Sequence, residues 1–247
     1  MARAVIAFEA VSKSYRDGER DVLVLGSASF NLEGGAFIGV WGSRRSGKST
    51  LLRLMAGVEC PDAGTVRFDG ERVASMSAVR RERLLREDIA LMTIAGWYPQ
   101  PKETVVDYVA LSLGSSQSSV SQTRREARLA LDRVGMTDHA DAPTNSLSIS
   151  ERMRTLLARA IARRPRVLLV DEPALIPSLV ERGALSALLW EVTREIGSTL
   201  VVASEDMTPL HGAEVVMSIG DGELCSTDER GAVLEFPGGV SIVPPGL

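Results

Sequence analysis

Residues 42–50 read Gly-Ser-Arg-Arg-Ser-Gly-Lys-Ser-Thr, preceded by the apolar run Ala36 to Trp41 and followed by Leu51, Leu52, Leu54 and Met55 at helical spacing. A strand, a loop with the spacing G-x4-G-K-[ST] and a helix together make a phosphate cradle. Its glycines let the backbone curl so that successive N–H groups point inward, and the helix N-terminus adds partial positive charge. Gly42, Ser43, Arg44, Arg45, Ser46, Gly47, Lys48, Ser49 and Thr50 are therefore expected to hold phosphates. Lys48 would reach the β- and γ-phosphates, and the Ser49 hydroxyl would hold Mg²⁺. Arg45 either adds positive charge to the phosphates or faces solvent. A second chemical group stands where Val167-Leu-Leu-Val170 ends in Asp171-Glu172-Pro173. Open α/β sheets bind ligands beyond the C-terminal ends of their strands, so Asp171 is placed to support the Mg²⁺ shell. Glu172 follows as a candidate general base for a hydrolytic water. The two motifs together point to a Mg-nucleotide.

The elements that must position these groups are legible as alternating short and long patterns. Ala36 to Trp41, Val167 to Val170 and Thr199 to Ala203 are apolar runs of strand length, and helical patterns lie between them, which predicts an α/β fold with a mainly parallel sheet. The opening third carries more strand signals, Val5 to Phe8, Val22 to Leu25 and Thr65 to Phe68. Turn signals at Asp17-Gly18, Gly34-Gly35 and Asp69-Gly70 predict that this portion includes an antiparallel sheet. From about Asp88 to Arg154 the pattern turns helical, interrupted by the Ser/Gln-rich stretch Ser115 to Gln122, which reads as a mobile loop. The strand and helix alternation resumes after Arg166 and runs to about Leu224. The tail through Pro237, Pro244 and Pro245 carries no readable chemistry.

Composition narrows the classes of function. The chain has 247 residues, 45% hydrophobic and 24% charged, enough to bury a core without disulfides or metals. Its 28 basic and 32 acidic residues give a net charge of −4, which argues against nucleic acid as a principal ligand. Cys60 and Cys225, His139 and His211 stand at no metal-ligand spacing, which excludes a zinc or disulfide framework. No stretch approaches the roughly 20 apolar residues of a membrane span. Glu9 falls inside what would have to be a signal-peptide core, so the chain reads as cytoplasmic.

With these motifs in place, the chain resembles the nucleotide-binding subunits of ATP-binding-cassette (ABC) transporters, from about Phe8 to Leu224. Val11-Ser-Lys-Ser-Tyr15 is similar to the family's opening strand, whose aromatic residue stacks on adenine. Leu147-Ser148 sits where the Leu-Ser-Gly-Gly-Gln signature begins, and Arg154 and Ala158-Arg159-Ala160 match the helix behind it. Ser77 to Arg86 looks like the extended linker of lipoprotein-releasing and macrolide-export members. The resemblance implies a P-loop NTPase (RecA-like) core with an N-terminal antiparallel β subdomain and an inserted α-helical subdomain. One domain would cover 1–247, with core and β subdomain at 1–87 and 157–230, the helical part at 88–156 and a tail at 231–247. It further implies ATP and Mg²⁺ as cofactors. The implied partners are a separate transmembrane permease and a second cassette, identical or different, placing the chain peripherally on the inner membrane face.

Several positions depart from the family pattern. Ile149, Ser150 and Glu151 replace the signature's glycines and glutamine, the segment that caps the partner's ATP in ABC dimers. With Asp88 to Ile94 aligned on the family's strand before its glutamine loop, Ile94 falls on the glutamine that touches Mg²⁺ and the attacking water, with Gln100 six residues downstream. Trp97 and Tyr98 form either a local packing pair or part of the permease interface. Glu205 falls on the switch histidine, so that it either points away from the γ-phosphate or is protonated, and Ser178 replaces the aspartate of the dimer-contact loop. This pattern favours a subunit that binds ATP and hydrolyses it poorly over a fully active motor subunit. A soluble ABC protein outside transport is a further alternative, although neither tandem cassettes nor a long coiled coil is visible. The arginine-rich run Arg80 to Arg86 has acids interleaved at helical spacing and reads as a solvated helix face.

Overall fold

Every second residue of the central strands belongs to a different core. In β7 (Val167–Asp171), Val167 and Leu169 pack into one apolar cluster and Leu168 and Val170 into another. β8 (Thr199–Ser204) divides in the same way, Val201 and Ala203 against Leu200 and Val202, and in β3 (Phe37–Trp41) Ile38 and Val40 oppose Phe37. Side chains alternate across a strand, so an unbroken apolar run means burial on both faces, as parallel sheets covered on two sides require. The computed structural model describes residues 4–18, 20–114, 119–173, 176, 178–227, 233–234 and 240–242.

Two sheets result. The seven-stranded sheet has the order β11-β10-β9-β3-β8-β7-β6, with β6 at Ile89–Thr93, β9 at Val215–Gly220, β10 at Glu223–Thr227 and β11 at Val233–Leu234. Its pairs from β9 through β6 are parallel, and β10 and β11 add antiparallel. The five-stranded sheet has the order β12-β2-β1-β4-β5, from β1 (Ile6–Asp17), β2 (Arg20–Leu32), β4 (Ala63–Phe68), β5 (Glu71–Arg72) and β12 (Val240–Ile242). It is antiparallel except where β12 joins β2. The fold is α/β of the P-loop NTPase type with an antiparallel β portion, as the sequence predicts.

One cluster fills the space between the two sheets around α1 (Lys48–Met55). The other lies on the opposite face, under α3 (Val105–Ala110), α4 (Val120–Arg133), α5 (Ile149–Ile161) and α6 (Leu179–Ile196), which follow the short α2 (Ala78–Arg83) in the chain.

The structure refines the sequence reading in two places. Ile89–Thr93, which falls inside the part 88–156 read as helical but aligns with the family's strand before the glutamine loop, is β6 on the sheet edge, paired with β7 and mostly buried. The predicted loop Ser115 to Gln122 is shorter: Ser119 accepts the Gln122 N–H and starts α4, while 115–118 lie outside the described residues. In the tail, β11 and β12 extend both sheets. Its remaining residues, 231–232, 235–239 and 243–247, lie outside the described set.

Candidate nucleotide site

Parallel register brings three loops to one edge. Trp41 of β3 pairs with Ser204 of β8, and Ala203 of β8 pairs with Asp171 of β7. The next residues along these strands, Gly42, Glu205 and Glu172, therefore emerge side by side. Gly42 and Gly47 are required by their surroundings. A Cβ at Gly42 would lie 2.5 Å from the Ile219 carbonyl oxygen and the Ser46 hydroxyl. Gly47 has φ +109°, and a Cβ there would lie 2.8 Å from the carbonyl oxygen of Val24 on β2.

The loop opens on a cavity of about 470 Å³ lined by Tyr15, Val24, Arg44, Arg45, Ser46, Gly47, Lys48, Ser49, Thr50, Arg53, Glu172 and Glu205. Lys48 is buried. Its ammonium donates to the carbonyls of Gly42 at 2.8 Å and Ser43 at 2.9 Å and pairs with Glu172 Oε1 at 3.0 Å. An ammonium has three N–H bonds, and all three are engaged. Glu172 sits at φ +51°, its N–H donating to the Ala203 carbonyl at 2.9 Å. Left-handed backbone costs a side-chain-bearing residue roughly 1–2 kcal/mol, so the carboxylate is held at that edge by its neighbours rather than by local preference. Its Oε2 accepts the Glu205 N–H at 3.3 Å. Asp171 does not line the cavity, but its Oδ1 is buried without a hydrogen-bond partner among the described residues. An orphaned carboxylate oxygen and a serine hydroxyl on the phosphate loop are both hard-oxygen donors of the kind that suits Mg²⁺, so the chemistry of Ser49 and Asp171 fits that ion. Tyr15 reaches the cavity from β1.

Other predicted positions fall elsewhere. Arg45 is exposed and lines the cavity, so both alternatives for it stay open. Ile94 begins a 3₁₀ turn after β6 and packs on the helical-side core, away from the cavity. Gln100 is exposed, its N–H bound to Glu103. Trp97 and Tyr98 split: Trp97 packs on Tyr108 with ring centroids 4.7 Å apart, whereas Tyr98 is 77% exposed. Ser178 caps α6 through the Glu181 N–H, and positions 174, 175 and 177 of its loop lie outside the described residues. His211 is exposed after a 3₁₀ turn.

At the signature position the side chains turn inward on their own helix. The Ser148 hydroxyl accepts the Glu151 N–H at 3.3 Å, and Glu151 Oε2 accepts the Ser148 N–H at 2.7 Å. This is a capping box on α5, and Glu151 Oε1 lies 3.0 Å from His139 Nε2 as well. The bonds from Ser148, with His139 nearby, hold the Glu151 carboxyl below the usual glutamate range. Ile149 is 42% exposed at the same helix end.

The sequence reading passed over Val24, Arg53 and Glu59. Arg53 lies one turn along α1 from Thr50 and so on the same face, a signal available from helical spacing. Val24 could not be placed without knowing how β2 crosses the loop.

The strand order, the loop and the two carboxylates at the sheet edge define a P-loop nucleotide-binding domain. The ABC transporter family profile matches residues 25–175, which span both motifs. The lipoprotein-releasing system ATP-binding protein LolD of Shewanella denitrificans is 29% identical over 224 residues, covering 91% of this chain and 96% of LolD. The methionine import ATP-binding protein MetN 1 of Pseudomonas fluorescens is 35% identical over 205 residues, 82% of this chain but only 60% of MetN 1. Among solved structures, the dimeric bacterial ABC transporter cassette MJ0796 superposes with a TM-score of 0.83 at 25% identity, covering 92% of this chain and all of that one. The chain belongs to the ABC transporter family, as one of its ATP-binding cassettes. No helix among the described residues is long and apolar enough to cross a membrane.

Proposed function

We propose that this chain binds Mg-ATP in the cavity beside Lys48, couples to a separate transmembrane permease at the inner face of the membrane, and turns ATP over slowly on its own. The residues at 42–50 hold the phosphates, Tyr15 stacks on the base, and Ser49 and Asp171 hold Mg²⁺. The ion would neutralise phosphate charge. Glu172 accepts the proton of a hydrolytic water where hydrolysis occurs, once phosphate has replaced it as the partner of Lys48. A second cassette completes the assembly.

The observation that carries slow turnover is the capping box on α5. A cassette pair needs the free N-terminal end of this helix to meet the partner's nucleotide, and here Glu151 occupies it with a negative charge of its own. Two like charges about 4 Å apart repel by about 4 kcal/mol at an effective dielectric near 20. A second reading, a full motor subunit, rests on the retained Lys48, Asp171 and Glu172. The experiment is ATP hydrolysis by the purified chain, and by the native complex recovered through a tag on it, with Glu172→Gln and Lys48→Ala compared. Turnover by the isolated chain of about one per second or more, abolished by Glu172→Gln, would defeat the slow-turnover reading in favour of the motor. Turnover of the complex that survives Glu172→Gln, with Lys48→Ala weakening assembly, supports a binding subunit whose partner does the chemistry.

A further inference from the structure

Behind the nucleotide cavity the Tyr15 hydroxyl enters a ring of directed hydrogen bonds. It lies within bonding distance of Glu59 Oε1 and 3.2 Å from Thr50 Oγ1. A carboxylate only accepts, so the single phenolic hydrogen points to Glu59, and the Thr50 hydroxyl must donate to the Tyr15 oxygen. Thr50 Oγ1 in turn accepts from Arg53 Nη2 at 3.3 Å, and Arg53 Nε donates to Glu59 Oε2 at 3.1 Å. The ring closes with a donor for each acceptor. Glu59 reaches this place because the chain doubles back directly after α1, the N–H groups of Val58 and Glu59 both returning to the Arg53 carbonyl.

Tyr15, Thr50 and Arg53 line the nucleotide cavity, whereas Glu59 lines a separate cavity of about 330 Å³ on the far side. Glu59 is not among the residues that line the nucleotide cavity. Tyr15 also sits near the exposed end of the β1–β2 hairpin, where Arg16, Asp17 and Gly18 face solvent, so its strand alone does little to fix the ring. Lys13, held by Asp62 at 2.7 Å, lies 5.6 Å from the ring centroid and occupies part of its surroundings.

We infer that Glu59 is a positioning residue for the nucleobase: by tying the Tyr15 hydroxyl to the end of α1, it sets the plane on which the base stacks relative to the phosphate loop. The inference rests on the reading that Tyr15 stacks on the base. It gives a part in recognition of the base to a carboxylate outside the cavity lining, acting through one hydrogen bond.

The test is calorimetric titration of the full chain with ATP and, separately, with inorganic tripolyphosphate, which offers the phosphates without the base. Glu59→Ala is expected to weaken ATP about fivefold to tenfold and leave tripolyphosphate unchanged. Glu59→Gln keeps an acceptor oxygen and is expected to restore most of the loss. Tyr15→Phe, which deletes the same bond from the other end with little risk to folding, is expected to match Glu59→Ala. In a Tyr15→Ala background, Glu59→Ala should cost nothing more for ATP. Equal loss for both ligands, or a loss that adds in full to that of Tyr15→Ala, overturns the positioning role. If Tyr15→Ala leaves the ratio of ATP to tripolyphosphate affinity at its wild-type value, the base-stacking reading itself is wrong.

Discussion

Replacing Glu172 by Gln should tighten ATP binding, because in the nucleotide-free site the carboxylate competes with phosphate for Lys48. The pair is 3.0 Å apart, with Lys48 side chain 5% and Glu172 24% exposed. At an effective dielectric near 20 the attraction is about 5.5 kcal/mol. Most of it returns when Lys48 takes a phosphate oxygen instead, and the two loop carbonyls stay bound throughout. If even a quarter is not returned, because ionised Glu172 then faces the incoming phosphate, about 1.4 kcal/mol is gained on neutralising it, a tenfold rise in affinity. Gln keeps the length and an oxygen for the Glu205 N–H, so the edge geometry is retained. The assay is Mg-ATP titration of wild type and Glu172→Gln by calorimetry, with Lys48→Ala in both backgrounds. The gain should vanish in the Lys48→Ala pair. ATP binding by Glu172→Gln that is no tighter than wild type, or a gain that survives without Lys48, would refute the competition.

Two further outcomes follow from the geometry. Glu151→Ala should destabilise the chain by about 1 kcal/mol at neutral pH through the lost cap. The folded-state carboxyl is held below its ordinary range, so this contribution is complete above that range and disappears as the pH falls through it and below. Denaturant melts of both proteins across acidic pH check the convergence, and a gap that stays constant would show that the cap is not responsible. Gly47→Ala forces a side chain into φ +109° against the Val24 carbonyl, and should abolish ATP binding and lower stability by about 1–3 kcal/mol, read by titration and melting.

The parallel core was legible because burial on both faces leaves apolar runs that end abruptly: Val167 to Val170 and Thr199 to Ala203 are each within one residue of β7 and β8. The phosphate loop and Asp171-Glu172 were legible because their chemistry requires fixed neighbours in sequence. Contacts between distant segments were not. Glu59 sits 44 residues from Tyr15, and nothing in its local sequence marks it as that hydroxyl's partner. Glu151 reads from sequence as a departure from the signature; its bond to Ser148 follows a spacing, Ser-x-x-Glu, that also signals a helix start. β6 was legible only through the family resemblance, because the five residues Ile89–Thr93 carry no turn signal to separate them from the helical pattern that follows.

The phosphate loop touches both sheets at its two glycines. Gly42 abuts Ile219 of β9 in the parallel sheet, and Gly47 abuts Val24 of β2 in the antiparallel one, with no room for a methyl group at either contact. Interiors packed to this density transmit displacement instead of absorbing it. The loop thus works as a wedge in the seam between two plates. Whatever tilts one plate against the other, a load on the hairpin or a pull on the helical face, must either reshape the seat of the phosphates or be resisted by the ligand in it.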